Sequence, residues 1–179
     1  FKTNSEIKNK FRSNLSLLQD RGPDETSILE FNNFLIGFNR LNINNIDNGS
    51  QPFISRSKRY LICFNGEIVN YKDLIDYLLK KKIKLSQKSE AEVILELYIL
   101  YKEKCLNYLK GMFSFVIIDK FTETIFAATD RFGIKPLYYG YTDNKKCFYL
   151  TSNFSPLVKT KLIPKIVNNN AIRDFICFG

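Results

Sequence analysis

Residues 59–68, RYLICFNGEI, contain the clearest structural signals in the sequence. Its apolar part, residues 59–64, has the continuous character that predicts a buried β-strand, and it meets Asn65-Gly66, the strongest short turn signal in the chain. Behind this turn, four apolar residues recur at helical spacing, namely Tyr71, Leu74, Ile75 and Leu78. The sequence therefore predicts a buried strand, a tight turn and then an amphipathic helix that ends at Lys80-Lys81-Lys82.

The segments on either side of this unit fall into helices and strands that do not alternate regularly. The predicted helices cover residues 4–19 (behind a Thr3…Glu6 capping box), 89–102 (behind Ser89-Glu90-Ala91-Glu92) and 170–178. Two short strands are predicted between Thr26 and Ile43 around Asn32-Asn33, and Asn44 to Pro52 has loop composition. Four further strands are predicted at Met112–Asp119, Thr124–Asp130, Leu137–Tyr141 and Lys146–Thr151.

Segregated helices and antiparallel strands predict an α+β layered fold rather than a regular βαβ alternation. The 179 residues fit one domain, so we expect residues 1–179 to form a single unit. Hydrophobic residues make up 45% and charged residues 25% of the chain, which argues against a disordered, fibrous or disulfide-dependent protein. No apolar run approaches the roughly 18 residues that a membrane span needs, so no membrane interaction is expected.

The absence of histidine limits the chemistry available to this chain. It removes every Ser-His, Cys-His and His-metal site, which leaves a carboxylate, a lysine or the α-amino group as a general base. The four cysteines are far apart in the sequence, and no pair has the spacing of a zinc cluster or a redox dithiol. We therefore expect no metal site and buried, reduced cysteines in a cytoplasmic protein.

Three places in the sequence carry side chains suited to binding or catalysis. The N–H of Gly66 and the carboxamide of Asn65 provide two donors for one oxygen, as in an oxyanion hole, although an ordinary turn has the same sequence. Arg40 ends a predicted strand, either as a solvated terminus or as a fork for a carboxylate. Glu90 begins a helix, where the dipole alone favours a carboxylate.

Seven motifs together resemble a known family. They are Asp20-Arg21-Gly22-Pro23-Asp24, Ile36-Gly37-Phe38-Asn39-Arg40-Leu41, Gln51-Pro52, Phe64-Asn65-Gly66-Glu67-Ile68 with Asn70, Ser89-Glu90-Ala91-Glu92-Val93, Gly111-Met112-Phe113-Ser114-Phe115 and Asp130-Arg131-Phe132-Gly133-Ile134-Lys135-Pro136-Leu137-Tyr138-Tyr139. Their order and spacing resemble the glutaminase domain of glutamine-hydrolysing asparagine synthetases. The match covers nearly the whole chain.

The resemblance implies an N-terminal-nucleophile fold, an αββα sandwich of two antiparallel sheets with helices outside. It implies hydrolysis of L-glutamine to glutamate and ammonia by an N-terminal Cys thiolate whose own α-amino group moves the proton. By the family pattern, Arg40 would bind the α-carboxylate, Asn65 and Gly66 would form the oxyanion hole, and Glu67 and Glu90 would bind the α-ammonium.

The resemblance also implies what lies outside this domain. No cofactor is expected in the domain itself, whereas ATP and magnesium would act in a C-terminal synthetase domain that makes asparagine from aspartate. That synthetase domain is the expected partner. A homodimer is compatible with the resemblance.

The chain departs from the family pattern at two informative positions. Residue 1 is Phe1 rather than Cys, and a helix is predicted almost at once. We therefore expect a fragment that lacks the first strand and the synthetase domain and is inactive as written. Glu90 stands where the family usually has Asp, one methylene shorter. We predict that Glu90→Asp in the full-length protein keeps glutaminase activity within tenfold or improves it.

Other readings of the sequence remain open at this stage. A degenerate, non-catalytic scaffold would explain Phe1 and Glu90, and relatives that amidate other carboxylates, including sugar acids, share the same motifs. The net charge of +9, from 27 basic and 18 acidic residues, raises nucleic-acid binding as a third reading. The lysines are scattered and no nucleic-acid motif is present, so no nucleic-acid partner is expected.

Overall fold

A four-stranded antiparallel sheet forms the centre of the molecule. In the computed structural model, which describes residues 5–41, 51–142, 147–163 and 166–178, its strands follow the order β3-β4-β5-β6. They are β3 (Phe53–Ile54), β4 (Tyr60–Ile68), β5 (Gly111–Asp119) and β6 (Thr124–Thr129). β4 and β5 pair over their whole length, from Tyr60 opposite Asp119 to Ile68 opposite Gly111. The α+β class with antiparallel pairing is confirmed.

Two helices pack against one face of this sheet and close the main core. They are α2 (Tyr71–Lys80) and α3 (Glu90–Tyr101), and α3 is followed by a 3-10 helix, Lys102–Tyr108. The alternate residues of β4 that point toward the helices are buried, whereas α3 is apolar on nearly all sides and buries most of its length. The core includes Tyr60, Ile62, Phe64, Ile68, Leu74, Leu78, Val93, Ile94, Leu97, Phe113, Phe115 and Ile117.

The predicted turn at Asn65-Gly66 is wrong. Both residues lie inside β4, opposite Ser114 and Phe113, and the chain turns only at Val69 and Asn70. The strand continues because β5 supplies a partner for every residue up to Ile68, and pairing along the sheet outweighs the local turn preference. Gly66 therefore marks a place where two backbones approach closely within a strand.

A β-hairpin forms a separate two-stranded sheet, as predicted around Asn32-Asn33. Its strands are β1 (Glu25–Phe31) and β2 (Phe34–Arg40), and helix α1 (Ser5–Ser16) packs on β2. α1 ends earlier than predicted, because residues 17–18 turn and Gln19–Arg21 forms a 3-10 helix. The predicted Thr3 cap, the end of the second strand at Ile43 and most of the loop from Asn44 lie outside the described residues.

The last part of the described chain forms a second hairpin and two helices. The strands are β7 (Tyr138–Tyr141) and β8 (Phe148–Thr151), and a short helix that the sequence analysis missed, α4 (Ser155–Lys159), follows them. The final helix α5 (Asn169–Phe178) is confirmed but buries none of its residues. Cys177, which we expected to be buried, is therefore exposed. Among the described helices, none is long and apolar enough to cross a membrane.

Candidate functional site

Along β4, successive backbone N–H groups point alternately to the two edges of the strand. This alternation decides which N–H groups can act as donors in the site. Lys120 donates to the Arg59 carbonyl and Val69 to the Lys110 carbonyl, so odd-numbered residues of β4 bond to β5. The even-numbered residues then direct their N–H groups to the opposite edge of the strand. β3 pairs with this edge at Leu61 and Ile62, and no strand of the described chain pairs with it from Phe64 to Ile68.

Three N–H groups follow one another along the open edge of β4. The Phe64 N–H donates to the side-chain carbonyl of Gln51 at 2.7 Å, and the Ile68 N–H donates to the carboxylate of Glu90 at 2.5 Å. The Gly66 N–H lies between them and points the same way. Within the described residues it has no acceptor. This N–H is consequently available to an oxygen of a ligand.

Gly66 cannot be replaced by a larger residue without moving backbone. Its φ is +147°, and a Cβ at this position would lie 2.2 Å from the Met112 carbonyl oxygen and 2.7 Å from the Phe113 Cα. Both contacts are with the paired strand, which has no freedom to withdraw. The glycine therefore permits the close approach of β4 and β5 at the point where the free N–H is presented.

Asn65 and Glu67 flank this N–H with their side chains. Because side chains alternate along a strand, both project from the same face of the sheet. Asn65 lies opposite Ser114 and Glu67 opposite Met112, and neither residue is buried. The carboxamide of Asn65 and the carboxylate of Glu67 are thus accessible on either side of Gly66.

Glu90 is brought to the same end of β4 by the start of α3. Ser89 caps this helix by accepting the Glu92 N–H, as the capping box predicted. Burial raises the pKa of the Glu90 carboxyl, the Ile68 N–H lowers it in part, and the nearby charge of Glu67 raises it further. The charge of Glu67 is therefore close enough to act on Glu90, and the Glu90 carboxylate reaches the β4 backbone at Ile68, two residues from Gly66.

Arg40 is the last residue of β2, and its main chain is hydrogen-bonded to the segment that precedes β1. The Asp24 N–H donates to the Arg40 carbonyl at 3.0 Å. A Cβ on Gly22 would lie 2.6 Å from the Asn39 carbonyl and 2.8 Å from the Arg40 nitrogen, so only glycine fits there. Among the described residues, the ion pair of Arg40 is with Glu25 across the hairpin, with 3.6 Å between Nη1 and Oε2.

Contacts at two points orient the hairpin relative to β4. At its tip, Asn33 donates to Glu123 and the Lys120 ammonium lies 5.0 Å from the ring centre of Phe31, near the Tyr60 end of β4. Further along, the Ser27 hydroxyl donates to the Gln51 main-chain carbonyl at 3.0 Å, and Gln51 in turn binds Phe64. The partner of Arg40 in the hairpin, Glu25, lies two residues before Ser27 in β1, roughly 7 Å along that strand.

The structure brings four of the five predicted site residues together at β4, whereas Arg40 lies in another sheet. Asn65, Gly66 and Glu67 are consecutive in β4, and Glu90 is joined to them through Ile68. Arg40 belongs to the separate β1–β2 sheet, which is joined to β4 through Ser27 and Gln51. Its pairing with Glu25 means that a ligand carboxylate would have to share or replace that ion pair.

Gln51 is a residue of the site that sequence reasoning did not assign. It bridges the hairpin and β4 through its main-chain carbonyl and its side-chain carbonyl. The only signal in the sequence was the Gln-Pro pair at the end of a polar loop, and that signal does not indicate which strand the side chain reaches.

Asp130 is a second unassigned residue near the site. Its buried carboxylate accepts N–H groups of Phe113 and of the loop that follows, at Phe132, Ile134 and Lys135. Burial by itself would raise its pKa, but these hydrogen bonds outweigh burial and hold the pKa below its ordinary value. Since Phe113 lies opposite Gly66, Asp130 fixes the strand that backs the site.

Two of the cysteines are poorly suited to act as nucleophiles. Burial raises the pKa of the Cys63 thiol to about 12 and that of the Cys105 thiol to about 11. Both therefore stay protonated near neutral pH, and the thiolate is the reactive form. Across the described ranges, no group of three or more His, Cys, Asp or Glu side chains has the arrangement of a metal site.

Comparison with known sequences identifies relatives of the whole chain. A family model described as a glutamine amidotransferase domain matches residues 1–179. Asparagine synthetase [glutamine-hydrolyzing] 1 of Bacillus subtilis is 35% identical over 162 residues, which are 90% of this chain and 25% of the relative. Asparagine synthetase B of Escherichia coli is 32% identical over 154 residues, 86% of this chain and 27% of the relative. The chain spans about a quarter of the length of these curated relatives.

Comparison with solved structures supports the fold. Glutamine phosphoribosylpyrophosphate amidotransferase from B. subtilis matches 70% of this chain and 29% of its own, with a TM-score of 0.58 and 23% identity. An allosteric regulatory enzyme of purine biosynthesis matches the same shares with a TM-score of 0.60 and 22% identity. The expected α+β sandwich of the N-terminal-nucleophile amidotransferases is confirmed. Its hairpins β1–β2 and β7–β8 remain separate two-stranded sheets in the described chain.

Proposed function

The chain belongs to the glutamine amidotransferase domain family, and from this premise we propose that its site binds L-glutamine and supports hydrolysis of the side-chain amide to glutamate and ammonia. The observation that carries the proposal is the Gly66 N–H, which faces the open edge of β4 between the occupied N–H groups of Phe64 and Ile68. A donor fixed by its own strand needs little rearrangement when negative charge develops on a carbonyl oxygen.

The Asn65 carboxamide completes this arrangement in our proposal. It adds a side-chain donor beside the backbone donor, so that one oxygen receives two hydrogen bonds. Attack on the amide carbon of glutamine places a negative charge on that oxygen, and removing one such donor commonly costs about 10²–10³ in rate. Asn65 and Gly66 are accordingly assigned to the oxyanion.

The charged residues account for the rest of the amino acid. Arg40 would bind the α-carboxylate with its guanidinium, and Glu67 and Glu90 would bind the α-ammonium. The raised pKa of Glu90 supports this role, because a ligand ammonium would supply the positive charge that its half-buried carboxylate lacks. When glutamine binds, its carboxylate takes the place of Glu25 at Arg40.

The reaction requires a nucleophile, which we propose is an N-terminal cysteine that precedes Phe1 in the parent protein. Its thiolate attacks the amide carbon, the α-amino group passes a proton to the departing nitrogen, and ammonia leaves a thioester. Water then cleaves the thioester to glutamate and restores the thiol. A free α-amino group titrates near pH ~8, so this chemistry needs no histidine.

For the parent protein we propose a glutamine-hydrolysing asparagine synthetase of the cytoplasm. Relatives at 32–36% identity are named as such, although this chain matches only 25–27% of the length of each. On this proposal the ammonia is used by a synthetase domain that takes ATP, magnesium and aspartate, and residues 1–179 form the glutaminase domain. Assays of the longer protein with aspartate and with other carboxylate acceptors test where the ammonia is transferred. Measurement of its mass in solution tests whether it forms a homodimer.

The proposal is tested by calorimetric titration of the chain with L-glutamine. We expect saturable binding that Arg40→Ala and Asn65→Ala each weaken at least tenfold. Arg12→Ala and Asn107→Ala, which remove the same kinds of side chain at exposed positions of other elements, leave the dissociation constant within twofold. Absence of binding to a folded wild-type chain would contradict the proposal and favour a non-catalytic scaffold.

A further inference from the structure

We propose that Glu92 is a positioning residue for the glutamine site: its buried carboxylate fixes the segment 86–88 and thereby the place of Glu90. The inference rests on the proposed function, since it concerns the residue assigned to the α-ammonium. Glu92 itself lies in the first turn of α3, and its carboxylate binds the segment that leads into the helix.

The carboxylate of Glu92 is enclosed and fully used. The residue is 1% exposed, and its Oε1 accepts the N–H and the hydroxyl of Ser86 at 2.6 and 2.7 Å. Its Oε2 accepts the N–H groups of Gln87 and Lys88 at 2.8 and 2.7 Å. Burial by itself would raise the pKa of Glu92, but these four hydrogen bonds outweigh burial and lower it. The group is therefore a charged acceptor built into the fold.

This arrangement goes beyond an ordinary helix cap. In a capping box, the acidic side chain returns to the N–H of the cap residue, which here is Ser89. Glu92 instead receives the three N–H groups that precede the cap. Among them, Lys88 has a φ of 53°, a backbone conformation that L side chains rarely adopt. The carboxylate thus holds a segment that local preference would not keep in this shape.

The segment that Glu92 holds determines where Glu90 stands. Glu90 is the first residue of α3, next to the Ser89 cap, and its carboxylate joins the helix to β4 through the Ile68 N–H. Helix ends fray readily, so we expect that release of the segment before α3 would loosen its first residues. A shift of about 1 Å in a substrate-binding group can cost on the order of 10²-fold in rate. Glu92 would therefore act on the site without contacting the substrate.

The first test follows hydrogen exchange at the Ile68 amide, which needs no ligand. Glu92→Gln keeps the size of the side chain but places an NH₂ donor against N–H donors. We expect faster exchange at Ile68, at least tenfold. The matched control is Asp119→Asn, which also alters a buried carboxylate that accepts backbone N–H groups, but at the far end of β5. Unchanged exchange at Ile68 in Glu92→Gln, or an equal change in Asp119→Asn, would overturn the inference.

The second test compares L-glutamine with glutaramate, the same molecule without its α-amino group. We expect Glu92→Gln to weaken L-glutamine binding about tenfold while glutaramate binding stays within twofold. In a double variant with Glu90→Gln, Glu92→Gln should reduce the affinity for L-glutamine little further, since both substitutions act on the contact between Glu90 and the α-ammonium. If the wild-type chain does not bind L-glutamine more tightly than glutaramate, the proposed function is overturned. A preference that Glu90→Gln removes and Glu92→Gln leaves intact would overturn only the positioning role.

Discussion

Gly66 and Phe113 face each other across the β4–β5 ladder as a pair that exchanges no hydrogen bonds. Phe113 directs its own N–H and carbonyl to Asp130 on the other side, and Gly66 directs its N–H to the open edge. The Gly66 N–H is thus free because of the register between β4 and β5, and not because the chain turns at this residue. This relationship connects the central sheet to the chemistry that we assign to the chain.

Replacing Gly66 tests whether the close approach of the two strands is required. Gly66→Ala should lower the free energy of unfolding by about 2 kcal/mol or more, because its Cβ would meet the Met112 and Phe113 backbone. Urea denaturation measures the loss. Gly133→Ala is the control, since Gly133 has a φ of +63° but open space around it, and should cost about 1 kcal/mol. Equal losses in the two variants would refute the packing argument.

The interaction between Glu67 and Glu90 predicts a dependence on pH. The folded-state pKa of Glu90 is raised by burial first and by Glu67 in addition, so ligand binding should weaken as pH falls through a range above the ordinary glutamate value. Glu67→Gln removes the neighbouring charge and should lower the pKa of Glu90, as followed by carboxyl ¹³C NMR. The exposed Glu103→Gln serves as control. A Glu90 titration that is the same in all three proteins would contradict the assignment.

The carboxylate of Asp119 predicts the behaviour of the fold in acid. The Arg59 guanidinium holds the pKa of Asp119 well below its ordinary value, and the Phe121 and Thr122 N–H groups add to this effect. A depressed folded-state pKa gives stability that is complete above the unfolded-state value, near pH ~4, and is lost as pH falls below it. Asp119→Asn should therefore flatten the acid limb of the stability curve between about pH 5 and 2. The exposed Asp76→Asn should leave that limb steep.

Gln51 connects the hairpin to β4, and removing the two sides of this connection should lower the free energy of unfolding by unequal amounts. Gln51→Ala leaves the Phe64 N–H without its acceptor and should lower the free energy of unfolding by about 1–3 kcal/mol. Ser27→Ala removes only the hydroxyl that donates to Gln51 and should cost about 0.5–1.5 kcal/mol. Chemical denaturation of both variants gives the comparison. A loss in Gln51→Ala no larger than that in Ser27→Ala would contradict the greater cost expected when the Phe64 N–H loses its acceptor.

Much of the fold was predictable from the sequence because its signals are local. The apolar run before Asn65, the helical spacing from Tyr71 to Leu78 and the Asn32-Asn33 turn each report on neighbouring residues. The turn at Asn65-Gly66 failed for the opposite reason. Its strand conformation depends on β5, more than 40 residues away in the sequence, and no local pattern reports that pairing.

The sequence predicts residues for the candidate site, but it does not predict how the fold supports them. The motifs indicated Arg40, Asn65, Gly66, Glu67 and Glu90 as a set. The direction of the Gly66 N–H depends on the register of β4 against β5, and the partners of Gln51, Glu92 and Asp130 are backbone groups of other segments. Such partners become visible only when the chain is folded, because a carboxylate or carboxamide in the sequence does not specify its donors.

The most direct test of the central claim is an NMR titration of the isotope-labelled chain with L-glutamine. We predict saturable shifts, with one dissociation constant, for the Gly66 backbone N–H, the Asn65 carboxamide and the Arg40 side-chain N–H. The same titration with the exposed Arg12 signal as internal reference should show no shift there. Shifts that are confined to β4 while Arg40 stays unchanged, or that never saturate, would contradict a single glutamine site built from both sheets.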